Sequence, residues 1–215
     1  MINKILTLDV ALGNTGWVLW RNNSGAWVIE DFGVIHTEKG TLENKMRDDR
    51  ERIESLLKML NSDQVKSAEV IVAEFPFGSQ SNTAARAMAL ATSAVISFSY
   101  LKEKLLFNVT PAAVKKVVGD KDAEKNTIMS YVQGKYRLFS GLPKYKFEHI
   151  ADAVCVFEAF SKTEDFEILT NNSLALAKQI LENAKQAQIE KFQVKTEKRK
   201  LKKKSLKKLL TTSSL

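Results

Sequence analysis

The sequence has 215 residues and a mass of 24.2 kDa, which suits one α/β domain with an appendage because domains cluster at roughly 100–150 residues. Its hydrophobic fraction of 44% and charged fraction of 27% exclude a disordered or fibrous chain, and its net charge is +8. The first residues lead into an apolar run that contains Asp9, and no later apolar run reaches the ~20 residues that span a bilayer, so neither a signal peptide nor a membrane anchor is predicted.

Three strands are predicted at the N-terminal end. Residues 5–12 are apolar on both faces apart from Thr7 and Asp9, which is typical of a central strand covered on both sides. The two apolar segments that follow flank the turn residues 22–25, which predicts a hairpin. The domain should therefore open with three strands in antiparallel succession.

Helices and strands then alternate. Apolar residues at helical spacing predict an amphipathic helix over residues 42–60, and residues 70–74 form a fourth, buried strand. The alanine-rich, poorly charged stretch 83–104 is predicted to be a long buried helix, and residues 106–109 to be a fifth strand. This order implies a five-stranded mixed sheet flanked by helices, with the first and fourth strands adjacent at its centre.

Three further helices are predicted after the fifth strand. Thr110 caps a helix that starts with Pro111, and a second helix covers residues 126–136. The segment 149–160 is apolar except at two acids, so it should pack one face on the sheet. Cys155, the single cysteine, lies in this segment and cannot form an internal disulfide, which agrees with a reducing, cytoplasmic location.

The basic character of the chain is concentrated in a C-terminal tail. A polar break follows Thr163, and a helix is predicted from Ser173. Ten Lys/Arg and one acid occur between Lys191 and Lys208, for a net charge of +9, whereas the rest of the chain sums to −1. The scattered leucines of this tail support a helix only weakly.

Acidic residues in apolar strands are the strongest functional signal. Asp9 and Glu74 lie in the two central strands, where an unpaired carboxylate is costly to bury. Two such carboxylates invite a cation, and hard oxygen ligands favour Mg²⁺ or Mn²⁺. Asp152 and His149 are three residues apart, hence on one helix face, and would complete an open site. Each residue also has a structural interpretation. A lone acid can accept hydrogen bonds in a turn or pair with a basic residue, and a lone histidine can simply pack in the core.

The sequence resembles the RuvC family of Holliday-junction resolvases from about residue 4 to residue 160. Residues 8–17, LDVALGNTGW, resemble the family's first motif, and residues 74–77, EFPF, its second. The segments 110–119 and 123–125 are similar to the part of the family that carries two basic residues near the scissile phosphate, and residues 149–153, HIADA, resemble the last motif. Four weak motifs in the right order together make a specific signal.

The resemblance implies a ribonuclease H-like fold and a metal-dependent endonuclease that cuts branched DNA. Asp9, Glu74, Asp152 and His149 would bind two Mg²⁺ ions, with Mn²⁺ as a substitute, and two lysines would take the basic positions, Lys115 and Lys125. Without the resemblance these lysines are ordinary solvated charges. It also implies a homodimer, for which the alanine-rich helix is the expected surface, and the cytoplasm of a bacterium or a phage-infected cell.

Several features depart from the family or extend beyond it. Ala11 and Asn14 replace its usual proline and serine, and His149 replaces the acid of many members. Phe77 would stack on an unpaired base near the junction centre, or would instead help to close the core. The predicted division is a nuclease domain over residues 1–162 and a helical extension with a Lys-rich tail over residues 163–215. DNA contacts are expected from Phe77, the two lysines and the tail residues Lys198, Arg199, Lys200, Lys202, Lys203 and Lys204.

Two other functions fit parts of the pattern. A DNA-binding protein could keep this fold and lose the chemistry, but all the expected acids are present. An actin-like phosphotransferase would share the Gly-rich turn after the first strand, but such enzymes generally carry a second phosphate loop, and this chain has one such loop and nine glycines. The favoured function is therefore hydrolysis of DNA phosphodiesters in recombination, repair or replication.

Overall fold

The computed structural model describes residues 2–38, 45–75, 81–120, 122–137 and 141–212. In these parts of the chain a five-stranded sheet is flanked by helices on both faces. The elements are β1 (Lys4–Asp9), β2 (Asn14–Asn23), β3 (Ala26–His36), α1 (Lys45–Leu60), β4 (Val70–Glu74), α2 (Asn82–Leu101), β5 (Leu105–Val109), α3 (Pro111–Lys116), α4 (Lys125–Tyr136), α5 (Lys144–Phe160), α6 (Glu164–Asn171) and α7 (Leu174–Thr212).

The strand order confirms the predicted mixed sheet. The order is β3-β2-β1-β4-β5, with β1 antiparallel to β2 and parallel to β4, and with β5 parallel to β4. The first and fourth strands are therefore adjacent at the centre, as predicted. β1 ends at Asp9 and not at residue 12, because the chain turns there and the Thr15 hydroxyl donates to the carbonyl of Ala11 at 2.6 Å.

Alternating side chains of the central strands pack into two separate cores, one on each face of the sheet. Leu6 and Leu8 of β1 point towards α1 and α2, whereas Ile5 points towards the layer of α3 to α7. On the second side Trp20 is fully buried, stacks on Phe157 of α5 with ring centroids 4.0 Å apart, and donates its indole N–H to Thr7 at 3.0 Å. This packing fixes α5 across the sheet.

Several helix predictions need correction. α5 was expected to bury one face, but every residue from Ala153 to Phe160 is buried, because the sheet covers one side and α4 and α6 cover others. The polar break after Thr163 is instead α6, and the Thr163 hydroxyl caps it by accepting a hydrogen bond from the Phe166 N–H. The helical basic extension predicted at the C-terminal end is confirmed, because α7 continues as a helix to Thr212.

The alanine-rich helix α2 is not fully buried. It packs against α1 and the sheet along one side, whereas Tyr100 and Leu101 near its C-terminal end are 82% and 76% exposed. Within the described residues α2 is also the one helix that is long and apolar enough to cross a bilayer, a property that core helices share. Its open side faces outward without a covering element among the described residues of this chain.

Gly16 in β2 lets α5 approach the sheet closely. A Cβ at this position would lie 2.0 Å from the backbone oxygen of His149, far inside van der Waals contact. The absence of a side chain at residue 16 therefore sets the distance between β2 and the start of the buried part of α5.

We predict that Gly16→Ala destabilises the protein by about 3 kcal/mol, because backbone must shift to admit the methyl group. Gly134→Ala is the matched control. Gly134 lies inside α4 with nothing within 4 Å of an added Cβ, so alanine there should raise stability by up to about 1 kcal/mol. Urea denaturation of both variants measures the difference, and equal stabilities would contradict the close packing of β2 on α5.

Candidate active site

The register of the central strands brings two carboxylates side by side. Asp9 is the last residue of β1 and Glu74 the last of β4, and the two are direct partners in the parallel ladder. Neighbouring strands lie about 4.8 Å apart, and paired residues of a parallel ladder project to the same face. Both side chains therefore face the same end of the sheet, on the side that α5 covers.

Helix α5 brings Asp152 and His149 to the same place. The Nδ1 atom of His149 lies 3.0 Å from Oδ2 of Asp9, so the imidazole and the carboxylate are hydrogen-bonded. Asp152 is one helical turn further along α5 and lines a cavity together with Asp9 and Glu74. Residues far apart in sequence thus converge at the carboxyl end of β1 and β4.

The cavity has a volume of about 440 Å³ and an acidic floor. Val114 of α3 and Ile128 of α4 form part of its apolar wall. Two cations also line it, Lys115 from α3 and Lys125 from the first turn of α4. The cavity is therefore a cleft lined by half-buried acids and by two lysines.

Burial and mutual repulsion raise the pKa values of two of these acids. Burial first, and then the charges of Asp9 and Asp152, raise the pKa of Glu74 to about 8, against the opposing effect of Lys115. Burial and the charge of Asp9 likewise raise the pKa of Asp152 to about 7. The hydrogen bond to Asp9 raises the pKa of His149. Pairs of carboxylates with raised pKa values are typical of sites that hold a cation or transfer protons.

The donor set suits a hard divalent cation. Carboxylate oxygens are the ligands that Mg²⁺ and Mn²⁺ prefer, and a cation would relieve the repulsion that, with burial, raises the two pKa values. Among the described residues, no group of three or more His, Cys, Asp or Glu side chains is arranged as it stands to hold a metal ion.

Other candidate residues lie outside this cavity. Phe77 falls outside the described residues. The tail residues Lys198, Arg199, Lys200, Lys202, Lys203 and Lys204 belong to α7, of which only the backbone is described at these positions.

Two polar contacts near the site did not follow from sequence patterns. Glu148 accepts a hydrogen bond from Lys125, and Asn14 pairs with His36 at 2.6 Å where β2 begins and β3 ends. Each pair joins residues more than 20 positions apart on different elements, so no local spacing signals it.

Comparison with known proteins defines the family. The sequence matches the family described as "Crossover junction endodeoxyribonuclease RuvC" over residues 5–159. The chain belongs to the RuvC family. The match includes all four proposed ligands and both lysines, and it ends before α6. No curated protein matches the sequence.

Solved structures of RuvC proteins share the fold. "T. thermophilus RuvC in complex with Holliday junction substrate" has a TM-score of 0.56 and 18% identity, over 73% of this chain and 92% of that chain. "Thermus thermophilus RuvC structure" has a TM-score of 0.55 and 19% identity over the same shares. The RuvC fold, a ribonuclease H-like sheet with flanking helices, is therefore confirmed.

We predict that Glu74→Gln stabilises the protein in metal-free buffer containing EDTA. A carboxyl whose pKa is about 8 when folded and ordinary when unfolded costs no stability below pH 4, and the cost grows as the pH rises from about 4.5 to 8 and then levels off. The variant should therefore match wild type at about pH 4 and exceed it by about 1–2 kcal/mol at about pH 9, a value reduced for partial exposure.

Denaturant titrations at the two pH values measure this difference. Glu30→Gln is the control, because Glu30 pairs with Lys4 and Arg21 far from the cavity and should give no gain at either pH. Equal stability of Glu74→Gln and wild type at pH 9 would show that Glu74 ionises at no cost.

Proposed function

We propose that this RuvC-family protein is a divalent-metal-dependent, structure-selective endodeoxyribonuclease that resolves Holliday junctions or related branched DNA. The observation that carries the proposal is the ladder pairing of Asp9 with Glu74, opposite Asp152, in a cavity lined by two lysines. The family match supports the reaction class. The Thermus thermophilus RuvC bound to a Holliday junction supports the class of substrate.

Asp9, Glu74 and Asp152, with His149, are the proposed ligands of two ions, Mg²⁺ with Mn²⁺ as a substitute. When bound, such ions activate a water and stabilise the leaving 3′ oxygen of a phosphodiester. The carboxylates would bind the ions through their negative charge, and they must be ionised to do so. Because His149 hydrogen-bonds to Asp9, it also orients that carboxylate and offers a nearby acceptor or donor of protons.

Lys115 and Lys125 are the proposed basic residues at the scissile phosphate. Both line the cavity, one from each side, and neither is needed to hold the sheet together. An ammonium group beside a phosphate stabilises the negative charge that develops in the transition state. Their main contribution should therefore be to the rate of cleavage.

A homodimer is part of the proposal. A four-way junction offers two symmetric strands, so a two-fold dimer presents one cavity to each. The open side of α2 supports this arrangement: an apolar groove of about 670 Å³ runs between α1 and α2, and Ile96, Tyr100 and Leu101 are exposed beside it. A second copy would bury this surface.

We predict that wild-type protein cuts a labelled four-way junction in Mg²⁺, and that Asp9→Asn, Glu74→Gln and Asp152→Asn each abolish cutting while junction binding survives. Each change removes a ligand charge but little contact surface. His149→Asp should keep measurable activity because it supplies an oxygen ligand.

Asp122→Asn is the control, since Asp122 lies at the same cavity but outside the proposed ligand set. Gel assays of cleavage, with binding measured in Ca²⁺, separate the two effects. Cutting by any of the three inactive variants would contradict the ligand assignment. Junction binding by wild type without cutting would instead indicate a non-catalytic DNA-binding protein.

We also predict that deleting residues 191–215 weakens binding to all DNA and flattens the plot of log affinity against log salt. The deleted segment carries the +9 field, and lysines on phosphates bind by counterion release with a slope of about −0.9 per phosphate contact. Junctions should still be cut at saturating enzyme. Removing only residues 213–215, which carry no side-chain charge, is the control. An unchanged salt slope in the longer deletion would show that the tail does not contact DNA.

A further inference from the structure

One ion pair at the cavity joins α4 to α5. Lys125, the first residue of α4, donates from Nζ to Oε1 of Glu148 on α5. The Lys125 side chain is 66% exposed, whereas that of Glu148 is only 22% exposed. The glutamate is thus the better fixed member of the pair, and the lysine extends from it towards solvent.

This contact limits where the ammonium group can go. A lysine side chain has four rotatable bonds and about 2 kcal/mol of rotamer entropy, so an unpaired, exposed Lys125 would sample many positions. The bond to Glu148 uses one of its three N–H donors and leaves two for a phosphate. Asp9 and Asp152 attract Lys125 as well, but less strongly than Glu148.

The two members of the pair stand in different relations to the cavity. Lys125 lines it, and Glu148 does not. Glu148 is therefore placed behind the lysine, on the α5 turn that also carries His149, and no direct contact with a phosphate in the cavity follows from its position. Its contact with the cavity runs through Lys125, while its charge also raises the pKa values of His149 and Asp152 as a minor contribution.

We propose that Glu148 is a positioning residue that holds the Lys125 ammonium group at the mouth of the cavity, so that the lysine meets the scissile phosphate in one fixed geometry. The kinetic part of this inference rests on the proposed nuclease function. The contact itself does not, and it can be tested without any cleavage.

The contact is tested by lysine acetylation of the isolated protein, with peptide mass spectrometry as the readout. In wild type the ion pair should protect Lys125, and Glu148→Gln should increase its acetylation rate severalfold. Lys115, in the same cavity but on α3, is the internal control and should react at the same rate in both proteins. Equal rates at Lys125 in both proteins would overturn the proposal, whether or not the protein cuts DNA.

The kinetic role is tested by a double-mutant cycle under single-turnover conditions with a four-way junction. Lys125→Ala should slow cleavage about a hundredfold, as for loss of one transition-state donor. Glu148→Gln should slow it about tenfold through misplacement of that donor. Junction affinity should be unchanged or slightly tighter in Glu148→Gln, because the variant loses an acid from a surface that meets phosphates.

The combined variant should cut no more slowly than Lys125→Ala alone, since Glu148 has nothing left to position. Glu30→Gln, which removes a lysine-paired glutamate far from the cavity, is the control for loss of an ion pair and should cut like wild type. Multiplied losses in the combined variant would show that Glu148 acts by another route, and would overturn the proposal. A wild type that cuts no junction would refute the nuclease function, and the acetylation result would then decide the contact alone.

Discussion

The repulsion among three acids at the carboxyl end of the central strands is the constraint on which this molecule depends. The β1–β4 register pairs Asp9 with Glu74, and α5 adds Asp152 from above. Ordinary packing would not select this arrangement, because it raises the pKa values of two carboxyls to about 8 and 7. The rest of the domain compensates with two apolar cores, and Gly16 admits α5 close enough to hold the acids together. The neighbouring acids therefore lower the stability of the fold, and a bound cation would restore it.

The parts of this arrangement that local chemistry dictates could be predicted from the sequence. The fourth strand was predicted with its observed bounds, Val70–Glu74, because a run of β-branched residues ends at an acid followed by an aromatic and a proline. The adjacency of the two acidic strands followed from the element order. The end of β1 could not be predicted, because residues 10–12 are as apolar as the strand residues before them. Val10 and Leu12 are buried in the core under α1 and α2, in an irregular conformation that Thr15 stabilises.

Some features were missed, although local signals existed for one of them. α6 was missed because its acidic first turn resembles a polar loop, although acids near a helix N-terminus and a threonine cap are helix signals. Burial of α2 was predicted because the helix is poorly charged, but Tyr100 and Leu101 are exposed, and the expected role of this helix as a dimer surface stays a prediction. The pairing of Glu148 with Lys125 depends on how α4 packs on α5, which no spacing in the sequence encodes.

Positive charge is concentrated at the C-terminal end of the chain and not around the cavity. An acidic cavity repels DNA, and the chain outside the tail is nearly neutral, so the domain by itself offers little long-range attraction to a polyanion. We propose that the basic end of α7 supplies that attraction, and α7 is exposed on all sides between residues 182 and 191. Close to the acids, the proposed chemistry requires single lysines fixed on α3 and α4. A diffuse field that gathers DNA and two placed cations that act on one phosphate would thus be different uses of lysine, and only the second would require a partner such as Glu148.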